Sequence, residues 1–235
     1  MPVESPNSVA NRLIEGLSRK ERRGLLALGT PVDLTSGDIL CEPNQPYRHV
    51  YFPLAGFISL VATVRGHQPL EMGLIGNEGM LGATLALGIG AAPLRGVVQG
   101  AGTALRIGVP QFRRRLQDSP VLFRALSRYV YVLMAQLSQT ATCSRFHQVE
   151  ARLVRWLLMI HDRVHADRFY LTHQLLADML GVRRSAVTIA AGVLHRKGLI
   201  RYVRGNITIL SRRGLENASC ECYAAVADDY ARLLS

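Results

Sequence analysis

Residues 171–200, LTHQLLADMLGVRRSAVTIAAGVLHRKGLI, constrain this chain more than any other stretch. Thr172 can cap a helix by accepting a backbone N–H bond, and Leu175, Leu176, Met179 and Leu180 give that helix one buried side. Gly181 follows, supplying the positive φ that a tight interhelical turn requires. The pattern then predicts a second helix from about Arg183, packed through Val187, Ala190, Ala191 and Leu194. Ala177, four residues before Gly181, is small where two helices must approach closely. Together with Leu176, Leu180, Val182, Val187 and Ala190 it falls in the register of a helix-turn-helix. A generic helical hairpin is the alternative that this spacing leaves open.

Leu199–Val203 and Ile207–Leu210 read as two strands joined by Arg204-Gly205-Asn206, a tight hairpin or wing. Between Arg183 and Arg213 stand eight basic residues (Arg183, Arg184, Arg196, Lys197, Arg201, Arg204, Arg212 and Arg213) and no acidic one. The whole chain carries 28 Lys and Arg against 17 Asp and Glu, a net charge of +11, and every base except Lys20 and Lys197 is arginine. Such a surplus predicts a polyanionic partner, nucleic acid first and anionic membrane second. A solvated basic face is the plain alternative, but the charge run coincides with the second helix and the wing, which favours DNA.

Physics divides the roles. The start of the second helix would enter the major groove, where base edges carry a readable donor and acceptor pattern. Arg183, Arg184, Ser185 and Thr188 project from its exposed side and are the expected base contacts. Thr172, His173, Arg196, Lys197, Arg201 and Arg204 are expected at phosphates, where they add affinity and salt dependence without sequence information.

Upstream, residues 8–30 predict a short helical hairpin or bent helix carrying Leu13, Leu17, Leu25 and Leu26. From Val32 to about residue 109, short apolar runs alternate with turn residues such as Ser36-Gly37-Asp38, Pro43-Asn44-Gln45-Pro46 and Gly56. That spacing predicts an all-β sandwich, barrel or roll. Gln111–Gln117 reads as a short basic helix, and Pro120 opens a long one reaching about Arg145. Along it Leu122, Leu126, Tyr129, Leu133 and Leu137 form a narrow apolar stripe, either a dimer seam or a face packed on the chain's own β-domain. A further helix spans about Gln148–Val164.

Several classes drop out. Glu4 and its polar neighbours stand where a signal peptide needs a basic start and an apolar run, and the uncharged stretch Gly79–Leu94 is short and broken by glycines. No membrane span is expected. Four irregularly spaced cysteines, Cys41, Cys143, Cys220 and Cys222, suit a reducing cytoplasm.

With these residues in place, nearly the whole chain resembles the Crp/Fnr family of bacterial transcription regulators. The resemblance rests on Ser36-Gly37-Asp38 with Ile39-Leu40, His49-Val50-Tyr51-Phe52 with Gly56, Gly76-Asn77-Glu78-Gly79-Met80-Leu81-Gly82, and the 171–200 segment. It implies an α+β fold. An N-terminal antiparallel β-roll of the cyclic-nucleotide-binding type, a cupin-like jelly roll, would occupy residues 1–119 as a sensor domain. A dimerisation helix would follow over 120–146, and a winged helix-turn-helix DNA-binding domain over 147–235. It also implies a homodimer on a near-palindromic double-stranded DNA site, with RNA polymerase as a further partner. Glu78, Gly79, Met80, Leu81 and Arg95 would line the effector pocket.

Two departures limit the transfer. The family's phosphate-binding cassette pairs its glutamate with an Arg-Ser, whereas this chain reads Pro93-Leu94-Arg95-Gly96, shifted by about one residue. One residue along a strand reverses the side chain's direction, so cyclic AMP is not the expected ligand. Any effector or cofactor stays unidentified. The second helix keeps Arg184 but has Ser185 and Ile189 where the best-known members carry Glu and Arg, which predicts a different target site.

Other chemistry finds less support. No cysteine precedes Cys41, so the N-terminal iron–sulfur ligands of oxygen-sensing relatives are missing. Cys220-Glu221-Cys222 would sit two apart on a helix and face different ways, so no metal is expected there. His161 and His165 lie on one helix face in His161-Asp162-Arg163-Val164-His165, but no third ligand is evident and a helix C-terminus accounts for histidines by itself. No phosphate-binding loop or nucleophile elbow occurs, and no enzyme is expected. The reading is a homodimeric DNA-binding transcription regulator; the alternative is a ligand-binding or scaffold protein whose basic surface docks a protein or an anionic membrane.

Overall fold

Two fourteen-residue strands organise the first half of the computed structural model, which describes residues 11–234. They are preceded by α1 (Arg12–Glu15) and α2 (Arg19–Leu26), capped by Asn11 and Ser18. Residues 8–10 of the expected hairpin lie outside the described residues. Asn11 is buried, and its Nδ2 donates to the carbonyls of Pro53 and Gly79, both at 2.9 Å.

Next come β1 (Thr30–Leu34), β2 (Ile39–Cys41), β3 (His49–Ala62), β4 (Leu70–Ile75) and β5 (Arg95–Gly108). They form one five-stranded sheet in the order β1-β5-β3-β4, with β2 also on β5. Both β1 and β2 run antiparallel to β5. Gly56 reads as a break in the sequence, yet β3 runs through it at φ 77°. A side chain there would strike the Gly100 and Ala101 carbonyls of β5, so glycine keeps the pairing continuous.

The helices that follow are α3 (Val109–Asp118), α4 (Pro120–Phe146) and α5 (Val149–Val164). A short strand, β6 (Arg168–Tyr170), precedes α6 (His173–Leu180) and α7 (Arg184–Arg196). Strands β7 (Ile200–Val203) and β8 (Asn206–Ile209) and helices α8 (Arg212–Ala218) and α9 (Glu221–Leu234) complete an α+β fold. Among the described residues, no helix is long and apolar enough to cross a membrane.

The chain divides into two compact units, and the division falls within α4 rather than at its ends. One unit holds the residues up to Ile58, Ile75–Tyr131 and those from Arg232 on; the other holds Ser59–Leu74 and Val132–Ala231. In the first, Val50, Phe52, Met80, Leu81, Ile107 and Phe112 make the core, with the Phe52 and Phe112 rings edge-on at 6.1 Å. Leu122, Leu126 and Tyr129 of α4 are buried here too. Their expected place in a dimer seam therefore gives way to the other option, packing within the protomer. Leu133 and Leu137 are half-buried.

The second unit is built on α5. Every residue from Leu153 to Ile160 is buried, Arg155 included, so the middle of this helix is enclosed on all sides. Its buried Arg155 donates to Thr140 Oγ1 at 2.9 Å, and Arg163 donates to the Met159 carbonyl at 2.7 Å. Glu71 of β4 accepts from Trp156 Nε1 and Ser59 Oγ, each at 2.5 Å. Burial pushes the Glu71 carboxyl up to about 7, against the opposing pull of its two donors and of Arg155 and Arg163.

A folded-state pKa above the ordinary value means that this group favours the fold most at low pH. Its contribution is complete below about 4.5 and is lost as pH rises to about 7. The difference corresponds to on the order of 3 kcal/mol. Glu71→Gln is expected to remove that slope, read as the difference in Tm between variant and wild type across this range.

Candidate nucleic-acid interface

Helix α6 starts where Thr172 Oγ1 accepts from the Leu175 N–H at 3.1 Å. It buries Leu176, Ala177, Met179 and Leu180 and ends at Gly181, whose φ of 60° is left-handed. The Val182 N–H returns to the Ala177 carbonyl at 3.0 Å and the Gly181 N–H to that of Asp178 at 3.2 Å, so the turn caps α6 as it releases α7. Arg183 is the N-cap residue of α7. Val187, Ala190, Ala191 and Leu194 are buried, while Arg183, Arg184, Ser185, Thr188 and Ile189 are exposed.

Ile189 is 69% exposed and lies between the buried positions of α7. It was not among the expected contact residues. An apolar side chain held out to solvent on this face is suited to a thymine methyl.

His173 links three elements. Its Nδ1 lies 3.0 Å from Thr188 Oγ1, and its ring stacks on Tyr202 of β7 with centroids 4.0 Å apart. The Thr188 hydroxyl donates to the Arg184 carbonyl at 3.1 Å, which makes His173 Nδ1 the donor to Thr188. Burial, helped by the Arg184 charge, holds the imidazole pKa below its ordinary value, which favours the neutral ring. Both His173 and Thr188 are thus engaged in holding α6, α7 and β7 together.

The wing has three strands in the order β6-β8-β7, and β6 was not foreseen. Val203 pairs with Asn206 across a two-residue turn, Arg204-Gly205, in which both φ values are positive (46° and 83°). That geometry matches the twist of a tight hairpin and holds Arg204 at its tip. Arg201 and Arg204 are exposed, as are Arg196 and Arg213. Two other bases of the run are balanced within the fold: Lys197 pairs with Glu150 at 2.7 Å, and Arg212 pairs with Asp162 at 2.7 Å and Glu216 at 2.9 Å.

The residues expected around an effector are engaged elsewhere. Glu78 is buried and accepts from the Gly76 N–H at 3.1 Å. Arg95 pairs with Glu42 at 2.9 Å. Gly79 abuts the Tyr129 ring, and Met80 and Leu81 are core residues. A cleft of about 650 Å³ on the same unit is lined in part by Cys41, Glu42, Arg48, His49, Tyr51 and Arg106. The His161 and His165 pair is also dispersed: His161 contacts Asp167 at 2.8 Å and Arg212 at 2.6 Å, while His165 caps α5 with φ 52°.

Residues 151–218 match the Crp-like helix-turn-helix domain. The fold is similar to that of the c-di-GMP-responsive global regulator CLP of Xanthomonas campestris, with 17% identity, a TM-score of 0.67, and 83% of this chain and 100% of that one covered. It is also similar to FixK2 of Bradyrhizobium japonicum (14% identity, TM-score 0.68, 82% and 98% covered). A third is TTHA1359, a CRP/FNR-family transcriptional regulator of Thermus thermophilus (22% identity, TM-score 0.66, 81% and 98% covered). No curated protein sequence matches the chain.

The turn offers a stability test. A Cβ at Gly181 would adopt a left-handed backbone and meet the Leu70 side chain at 2.8 Å. Gly181→Ala is expected to cost about 1–2 kcal/mol, measured by urea unfolding. An unchanged midpoint would contradict the role given to this turn.

Proposed function

Taking residues 151–218 as a Crp-like helix-turn-helix domain within a Crp/Fnr-type fold, we propose that this chain is a sequence-specific DNA-binding transcription regulator. The observation that carries the reading is the exposed N-terminal part of α7, Arg184, Ser185 and Ile189, in the same unit as a wing tipped by Arg204. Arg184 offers a bidentate guanidinium to guanine, and Ile189 an apolar contact to thymine. Arg183 supports the same end of the helix. Arg196, Arg201 and Arg204 neutralise phosphates; Lys197 does so only by leaving Glu150. Thr172, His173 and Thr188 act mainly by positioning α7.

The regulator works as a homodimer on a near-palindromic site, in the cytoplasm, with RNA polymerase as its further partner. Supporting the dimer, α4 keeps a second face in solvent, where Phe123, Tyr131 and Met134 are 46%, 56% and 60% exposed. A protomer that leaves three large apolar residues wet along one helix gains by covering them with a second copy. The β-roll takes the sensor role with a ligand other than cyclic AMP, in keeping with the separate partners of Glu78 and Arg95. No catalytic role is assigned.

Two substitutions separate base reading from phosphate contact. Arg184→Ala is expected to lose about 1–3 kcal/mol of discrimination at one base position per half-site while retaining non-specific binding. Equal weakening on every sequence would remove Arg184 from base reading. Arg204→Ala is expected to weaken binding on all sequences and to reduce the salt slope by about 1 per protomer, measured by fluorescence anisotropy across a salt series. An unchanged slope would remove Arg204 from the phosphate contacts.

A further inference from the structure

Four side chains from distant parts of the sequence meet inside the second unit, apart from the helix-turn-helix. Cys143 lies in the last turn of α4, and His147 in the link to α5. Cys220 immediately precedes α9, and Cys222 lies in its first turn. One ligand atom from each falls within 4.8 Å of all the others. Cys143 Sγ stands 3.7 Å from Cys220 Sγ, and Cys222 Sγ stands 3.4 Å from His147 Nδ1.

These lengths are informative. Zinc binds sulfur at about 2.3 Å and imidazole nitrogen at about 2.0–2.1 Å, so a tetrahedral site has S···S edges of about 3.8 Å and S···N edges of about 3.5–3.6 Å. The two measured edges lie close to both values. A disulfide would instead need its sulfurs about 2.05 Å apart. We propose that Cys143, His147, Cys220 and Cys222 bind a single structural zinc ion.

The surroundings fit that ion. All three thiols are buried, and Ala151 packs against them, so four protein ligands close the site and leave no open coordination position. His147 presents Nδ1 to the cluster while its Nε2 faces Glu221 Oε2 at 3.4 Å. A carboxylate behind a ligating histidine holds the proton on the far nitrogen and aims the lone pair at the metal. Three thiolates and a dication leave one negative charge, and Arg152 and Arg155 border the cavity that Cys143 lines. On binding, each thiol releases its proton to solvent, and no oxidant or reductant is involved.

The fold explains why the spacing Cys220-Glu221-Cys222 misleads. Helix α9 begins at Glu221, so Cys220 lies outside it and the divergence of positions two apart on a helix does not apply. The ion would join the end of α4 and the start of α5 to the α8–α9 junction, 75 and 77 residues away along the chain.

The test uses the full-length protein purified under reducing conditions without chelator. Elemental analysis is expected to find about one zinc per chain in wild type and in a Cys41→Ser control, and a loss of the metal in Cys222→Ser and His147→Ala. Chelation should lower Tm, and cobalt(II) added to the metal-free wild type should give the thiolate charge-transfer and d–d absorption of a tetrahedral site. The cobalt spectrum keeps the test decisive where a variant fails to fold. Folded protein with no stoichiometric zinc and no cobalt spectrum would overturn the proposal. So would a native Cys143–Cys220 disulfide, or an iron–sulfur chromophore in place of zinc.

Discussion

A helix can present side chains to a partner only if its opposite side is held fast, and here that depends on how closely α6 and α7 approach each other. Ala177, Ala190 and Ala191 are buried and small, and the left-handed Gly181 opens the three-residue turn between the helices. A larger side chain at any of these positions would tilt α7 and move Arg184 with it. The buried helix α5 supplies the floor, and the His173–Thr188–Tyr202 contacts join the wing to the same assembly. Precise placement of the exposed end of α7 therefore comes from apolar packing and hydrogen bonds, not from its charges.

Charge has a narrower role than the net +11 suggests. Of the eight bases between Arg183 and Arg213, Lys197 and Arg212 are balanced by Glu150, Asp162 and Glu216. What remains exposed is concentrated at the start of α7 and along the wing. Glu150 and Asp162 lie far from their partners in sequence, so a charge run read locally overstates the basic surface.

Patterns confined to one segment were legible in the sequence. The Thr172 cap, the Gly181 turn, the buried side of α7 and the β7–β8 hairpin all follow from local spacing, and the structure has each within a residue or two. Features that depend on what packs against what were not. The stripe Leu122, Leu126 and Tyr129 has the period of a seam, yet periodicity cannot say which surface it meets, and the protomer itself covers it. Strand β6 is only three residues long and owes its state to β8. Ile189 stood out in the sequence only as a departure from the family's arginine, since nothing local says that an apolar residue there is held out to solvent. Cys143 and His147 gave no hint of Cys220 and Cys222, since only the tertiary fold brings them together.

The central claim is that α7, fixed in this way, reads DNA sequence as one half of a symmetric pair. Selection of bound fragments from a random duplex pool by the wild-type protein tests it most directly. The account predicts enrichment of an inverted repeat whose half-sites are centred about one helical turn apart. Salt-sensitive retention of duplexes with no enriched motif would contradict it.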